Sequence, residues 1–241
     1  MTSINLKGGV IIIGSLLWDD SNGRKLWRKQ NLKPISEARS VLLPIRYGRE
    51  SSSRSDTYTM IFSTAVSSDT GTGKIIPFIS PVSSFEDLEI QATALALAEG
   101  IYGEHNKRLS SNWGSIGILI NPKLEENEKA VHSYISGKWA DIYLGYAKTL
   151  NPKSYKAHEA EVETITNLGF LNIKWTDQMN EFDLLLATPV VPKPTRILAP
   201  VEIADRMIQR NYFEYFEKNH ENGISTGDDQ EIMDRLKQKR K

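Results

Sequence analysis

Apolar residues recur along this chain with two periods. Val10-Ile11-Ile12-Ile13 is an unbroken β-branched run, which predicts a strand buried on both faces. Shorter runs predict strands near 39–46 and at 58–63, 74–79, 114–122, 141–147, 170–175 and 182–187. Helical spacing recurs over 24–29, 85–100, about 125–136, 154–168 and 200–219. In the last of these, Ile203, Met207, Tyr212, Phe213 and Phe216 are the expected core positions. Residues 50–56 read as a polar loop, and 223–227 as a linker to a final charged helix expected to stand in solvent.

Strands and helices that alternate throughout imply a mixed α/β architecture. Residues 1–121 are expected to form one domain, with 122–241 as an α/β extension packed on it. A single intertwined domain is the alternative.

The 85–100 helix carries the first chemical signal. Ser84 suits its N-cap, and Glu86, Asp87 and Glu89 suit the positive end of its dipole. Phe85, Leu88, Ala92 and Leu95 form one apolar stripe; Ile90, Ala94, Leu97 and Ile101 form a second. Two stripes predict a helix sandwiched in the core. Glu99 falls on the first stripe, where a carboxylate is costly unless paired, hydrogen-bonded or protonated. It is either a structural acid that reaches an arginine or solvent, or a pocket acid suited to proton transfer.

The second signal is the break after the first strand. Gly14-Ser15 ends the run and Leu16-Leu17-Trp18 resumes it. Glycine permits a sharp turn and close approach of a ligand, and such a turn can leave main-chain N–H groups facing an anion.

Together, Gly14-Ser15-Leu16 after a first strand and Glu99-Gly100 at a helix end resemble the γ-glutamylcyclotransferase-like family over roughly residues 9–120. The resemblance implies a mixed β-barrel or sheet with helices packed around it. It also implies that Ile13, Gly14, Ser15, Leu16 and Leu17 hold a γ-glutamyl group and that Glu99 is the general acid–base. Ile13 departs from the pattern, because the family has tyrosine there.

Charge adds a ligand class. The chain has no net charge, yet residues 1–54 hold ten Lys and Arg against four acids. This basic third is either a solvated face or an attraction for an anion. Arg24, Lys25, Arg28 and Lys29 around Trp27 fit a surface helix, and Arg46 is the expected pocket arginine for a carboxylate. A small molecule bearing a carboxylate is the expected partner. Nucleic acid is the second candidate. A non-catalytic binding or regulatory protein on the same scaffold, recognising an anionic ligand or nucleic acid, is the alternative to an enzyme.

Composition narrows the chemistry. Without cysteine there are no disulfides, no thiolate catalysis and no cysteine-held zinc. The four histidines match no metal-ligand spacing, so neither metal nor other cofactor is expected. Gly71-Thr72-Gly73-Lys74 fails as a phosphate loop, because Ile75 stands where Ser or Thr is required. No apolar run approaches the roughly 20 residues of a membrane span. The first residues lack the features of a signal peptide, so a cytoplasmic location is the expectation.

Overall fold

The computed structural model describes residues 4–67, 70–145, 150–159 and 161–239. The β-branched run forms β1 (Gly8–Ile12), buried at every position. It is buried because it is central. It pairs antiparallel with β5 (Gly71–Pro77), Val10 opposite Ile76, and parallel with β7 (Leu184–Ala187), Gly9 opposite Leu185. β2 (Arg39–Leu43) extends the sheet beyond β5, and β6 (Gly117–Ile120) extends it beyond β7. The order is β2-β5-β1-β7-β6, a mixed five-stranded sheet. β3 (Ile45–Ser51) and β4 (Thr57–Phe62) form a separate hairpin, divided from β2 by Pro44. No closed barrel forms among the described residues.

Strands from both halves of the chain share this sheet. The expected boundary after residue 121 therefore cuts between β6 and β7, which are hydrogen-bonded neighbours.

Two N-terminal helices flank the turn. α1 is Asn22–Asn31, with Trp27 and Arg28 buried. α2 is Phe85–Glu99. Its start is closed reciprocally: the Asp87 N–H donates to Ser84 Oγ at 3.1 Å, and the Ser84 N–H donates to Asp87 Oδ2 at 3.0 Å. Its end is closed by Gly100 at φ +77°. Phe85, Leu88, Ala92 and Leu95 are buried, as the first stripe requires. The second stripe does not seat α2 in the core: Ile90 is 61% exposed and Leu97 55%.

The C-terminal half departs further from the sequence pattern. α3 (Pro122–Asn127) is followed by α4 (Lys129–Leu144), which runs through the expected 141–147 strand. Val131, Ile135, Trp139 and Tyr143 repeat every four residues and bury one helix face, overriding the strand preference of the aromatics. Residues 146 and 147 lie outside the described residues. No helix forms over 154–168; residue 160 lies outside the described residues. The Glu161 carboxylate accepts the Ala157 and His158 N–H groups, so a side chain takes amides that a helix would need. The expected 170–175 strand is reduced to isolated bridges, Phe170 to Ile118 and Leu171 to Ile165.

The expected 200–219 helix is two. α5 (Pro200–Arg210) ends at Asn211, φ +48°, and α6 is Glu214–Glu221. The final helix, α7 (Asp229–Lys239), does not stand free in solvent. It buries Ile232 and Leu236 and pairs Arg235 with Asp205 of α5 at 2.8 Å. The linker before it adds a bridge to the sheet, Ser225 to Thr72.

Candidate functional site

A cavity of about 460 Å³ opens where β1 ends. That lies within the usual range for small-molecule sites. Its walls come from the β1 turn, the β3–β4 hairpin, the end of α2, the 188–193 segment and α6.

The turn is wound by its own backbone. Leu17 N–H donates to Gly14 carbonyl at 3.1 Å, and Asp19 N–H to Ser15 carbonyl at 2.7 Å. The N–H groups of Gly14, Ser15 and Leu16 have no acceptor among the described residues. All three residues line the cavity. Adjacent free N–H groups of this kind form an anion-binding concavity.

Glu99 reaches the same cavity from the last residue of α2. Its carboxylate accepts from Arg24 Nη2 at 2.9 Å. The other Arg24 terminal nitrogen donates to Ser15 Oγ at 2.9 Å and to Asp19 Oδ2 at 3.0 Å. One guanidinium thus ties the acid to the turn. Burial pushes the Glu99 carboxyl above its ordinary value; Arg24 and Thr188 pull the other way without cancelling it.

Asp19 anchors this arrangement from behind. Burial opposes its charge, but the Ser21 N–H, Arg54 and Arg24 hold its carboxyl down to about 2. Arg54 donates to it at 2.6 Å and lies over the Trp18 ring, 5.3 Å from the centroid. Asp19 is therefore ionised at any ordinary pH and keeps both arginines in place.

Of the expected site residues, Ile13, Gly14, Ser15, Leu16 and Glu99 line the cavity. Leu17 does not; it packs into the core behind the turn at 1% exposure. Arg46 is not at the cavity either. Its guanidinium is buried, donating to Ser63 Oγ at 2.9 Å and to Glu161 Oε1 at 3.4 Å. The arginine that β3 does deliver is Arg49. A bulge at Gly48 shifts the β3–β4 register between Tyr47 and Arg49, which strand alternation cannot anticipate.

Sequence reasoning also missed Arg24, Arg54, Thr188, Trp113 and Tyr215 as cavity residues. Asp19 and Arg24 offered a signal in their closeness to the turn. Tyr215 offered none.

No helix among the described residues is long and apolar enough to cross a membrane, and no group of three or more acids and histidines there is arranged to hold a metal. No family profile, curated protein or solved structure matches this chain.

Proposed function

We propose that this protein is an enzyme of the γ-glutamylcyclotransferase type. The observation that carries the proposal is the meeting, in one cavity, of a largely buried carboxyl with a raised pKa and a turn with spare N–H groups.

The reaction uses both. The α-amine of a γ-glutamyl substrate attacks its own side-chain carbonyl carbon. A C–N bond forms, closing a five-membered lactam, and the bond to the departing amine breaks. Ionised Glu99 takes the proton released by the attacking nitrogen and returns it to the leaving nitrogen. The Gly14, Ser15 and Leu16 amides stabilise negative charge on the carbonyl oxygen. Arg24 holds the acid at fixed distance from that turn. No external oxidant, water or cofactor enters the balance.

Incubation with γ-glutamyl amides and peptides tests this directly. The wild type is expected to release the lactam, and Glu99→Gln to release none. Binding without lactam release would overturn the enzyme reading and leave a binding protein for anionic ligands.

A further inference from the structure

The charges around the cavity do not balance. Its acids are all engaged: Glu99 with Arg24, Glu50 with Arg206 at 3.6 Å, and Asp56 with Arg210 at 3.3 Å. Arg24 and Arg54 share Asp19. Two cavity cations, Arg49 and Lys193, have no carboxylate within 4.0 Å among the described residues.

Arg49 is the more constrained of the two. It is half-buried, its guanidinium lies over the Trp113 ring at 5.7 Å, and one terminal nitrogen donates to the Val191 carbonyl. Its remaining N–H groups have no acceptor among the described residues. The backbone fixes Lys193 beside it: Lys193 N–H donates to Gly48 carbonyl at 2.8 Å, and Glu50 N–H donates to Lys193 carbonyl at 2.7 Å. A planar fork, braced on an aromatic face and left without a counter-ion, is built for bidentate contact with an acid group.

We propose that Arg49, assisted by Lys193, binds a second acid group of the ligand. This rests on the reaction proposed above. There the first half of the substrate occupies the turn and Glu99, so the second acid belongs to the amine that leaves. The preferred substrate is then a γ-glutamyl amino acid or peptide with a free carboxylate, not a γ-glutamyl alkylamine.

Two probes separate this subsite from the chemistry. γ-Glutamylglycine carries the distal carboxylate and γ-glutamylmethylamide lacks it. Calorimetry on Glu99→Gln protein is expected to show γ-glutamylglycine binding roughly tenfold tighter or better, the scale of one charge-assisted bidentate contact. Adding Arg49→Gln should bring the two ligands to parity. Arg49→Lys, which keeps the charge but loses the fork, should fall between. Circular dichroism confirms that each variant is folded.

Equal binding of the two ligands, an Arg49 effect common to both, or binding of neither overturns the subsite. Lactam released from both probes with equal kcat/KM, indifferent to Arg49, overturns the subsite and leaves the reaction standing. Arg49-dependent preference without lactam release supports the subsite and removes the reaction.

Discussion

The Tyr215 hydroxyl occupies the space where a side chain on Gly14 would begin: a Cβ at that position would lie 2.5 Å from it. The same hydroxyl accepts the Met60 N–H at 3.1 Å, and its ring meets Trp18 edge-on at 6.2 Å. α6 therefore joins the β1 turn to β4 through one oxygen. The glycine serves this contact as well as the turn itself.

Gly14→Ala is expected to destabilise by about 1–3 kcal/mol, the usual cost of overpacking. Tyr215→Phe is expected to cost a similar 1–3 kcal/mol or so, because the buried Met60 amide loses its acceptor. The double variant should cost less than the two together. Without the hydroxyl, the nearest remaining atom to the new Cβ is Tyr215 Cζ at 3.3 Å. Urea unfolding of the four proteins measures the coupling. Strict additivity would mean that the two residues act independently.

Glu99→Gln has a stability signature as well as a kinetic one. A carboxyl raised by burial favours the folded state while protonated; that contribution is lost as pH rises from its ordinary 4.5 through the raised value. Gln carries no such dependence. The variant is therefore expected to gain stability relative to wild type as pH climbs through that window, and to match it more closely below it. The acid limb of kcat/KM should lie above the ordinary carboxylate value. Denaturation midpoints across pH, with initial rates, test both. A variant that loses stability relative to wild type as pH rises would make Glu99 a structural ion-pair acid.

Sequence carried the parts of this fold whose burial is local. β1 is legible because four successive β-branched residues suit only a strand covered on both faces. α2 is legible because its cap, its buried stripe and Gly100 agree. Glu99 stands out because it breaks that stripe. Contacts between distant segments were not legible. Nothing near Tyr215 says that its hydroxyl abuts Gly14. Nothing in 154–168 says that Glu161 will turn inward to Arg46 and Ser63 and prevent a helix. The arginine that reaches the cavity is Arg49, beyond a bulged glycine, and not the expected Arg46.

Asp19 titrates in the opposite sense to Glu99. Its carboxyl is held at about 2 against an ordinary 3.8, so its stabilising contribution is complete above 3.8 and is lost as pH falls toward 2. With allowance for its partial exposure to solvent, that contribution is on the order of 1–2 kcal/mol. Asp19→Asn is expected to lose this amount at neutral pH and to show a shallower fall in stability between pH 5 and 3. It also removes the carboxylate that Arg24 and Arg54 share, leaving Arg24 held by Glu99 and Ser15, so ligand affinity should drop with it. Equal acid sensitivity in the two proteins would remove Asp19 from this role.

Arg46 provides the sharpest contrast between stability and binding. Its side chain and that of Glu161 are 3% and 4% exposed, and the pair lies away from the cavity. Burial opposes the Glu161 charge, but the Ala157 N–H, Ser63 and Arg46 outweigh it and hold the carboxyl below its ordinary value. Its stabilising contribution is present above the ordinary 4.5 and is lost as pH falls through the lowered value. Arg46→Ala leaves this carboxylate buried without its cation, which costs roughly 3–5 kcal/mol. Its pKa then rises, so acid unfolding should begin at higher pH. Replacing both partners, as in Arg46→Met with Glu161→Gln, should recover a substantial part of the loss. Ligand affinity of the folded Arg46→Ala protein should match wild type, whereas Arg49→Gln should weaken it with little change in stability. Calorimetric binding beside denaturant titration distinguishes the two arginines. A large loss of affinity in folded Arg46→Ala would return Arg46 to the site that the sequence assigned it.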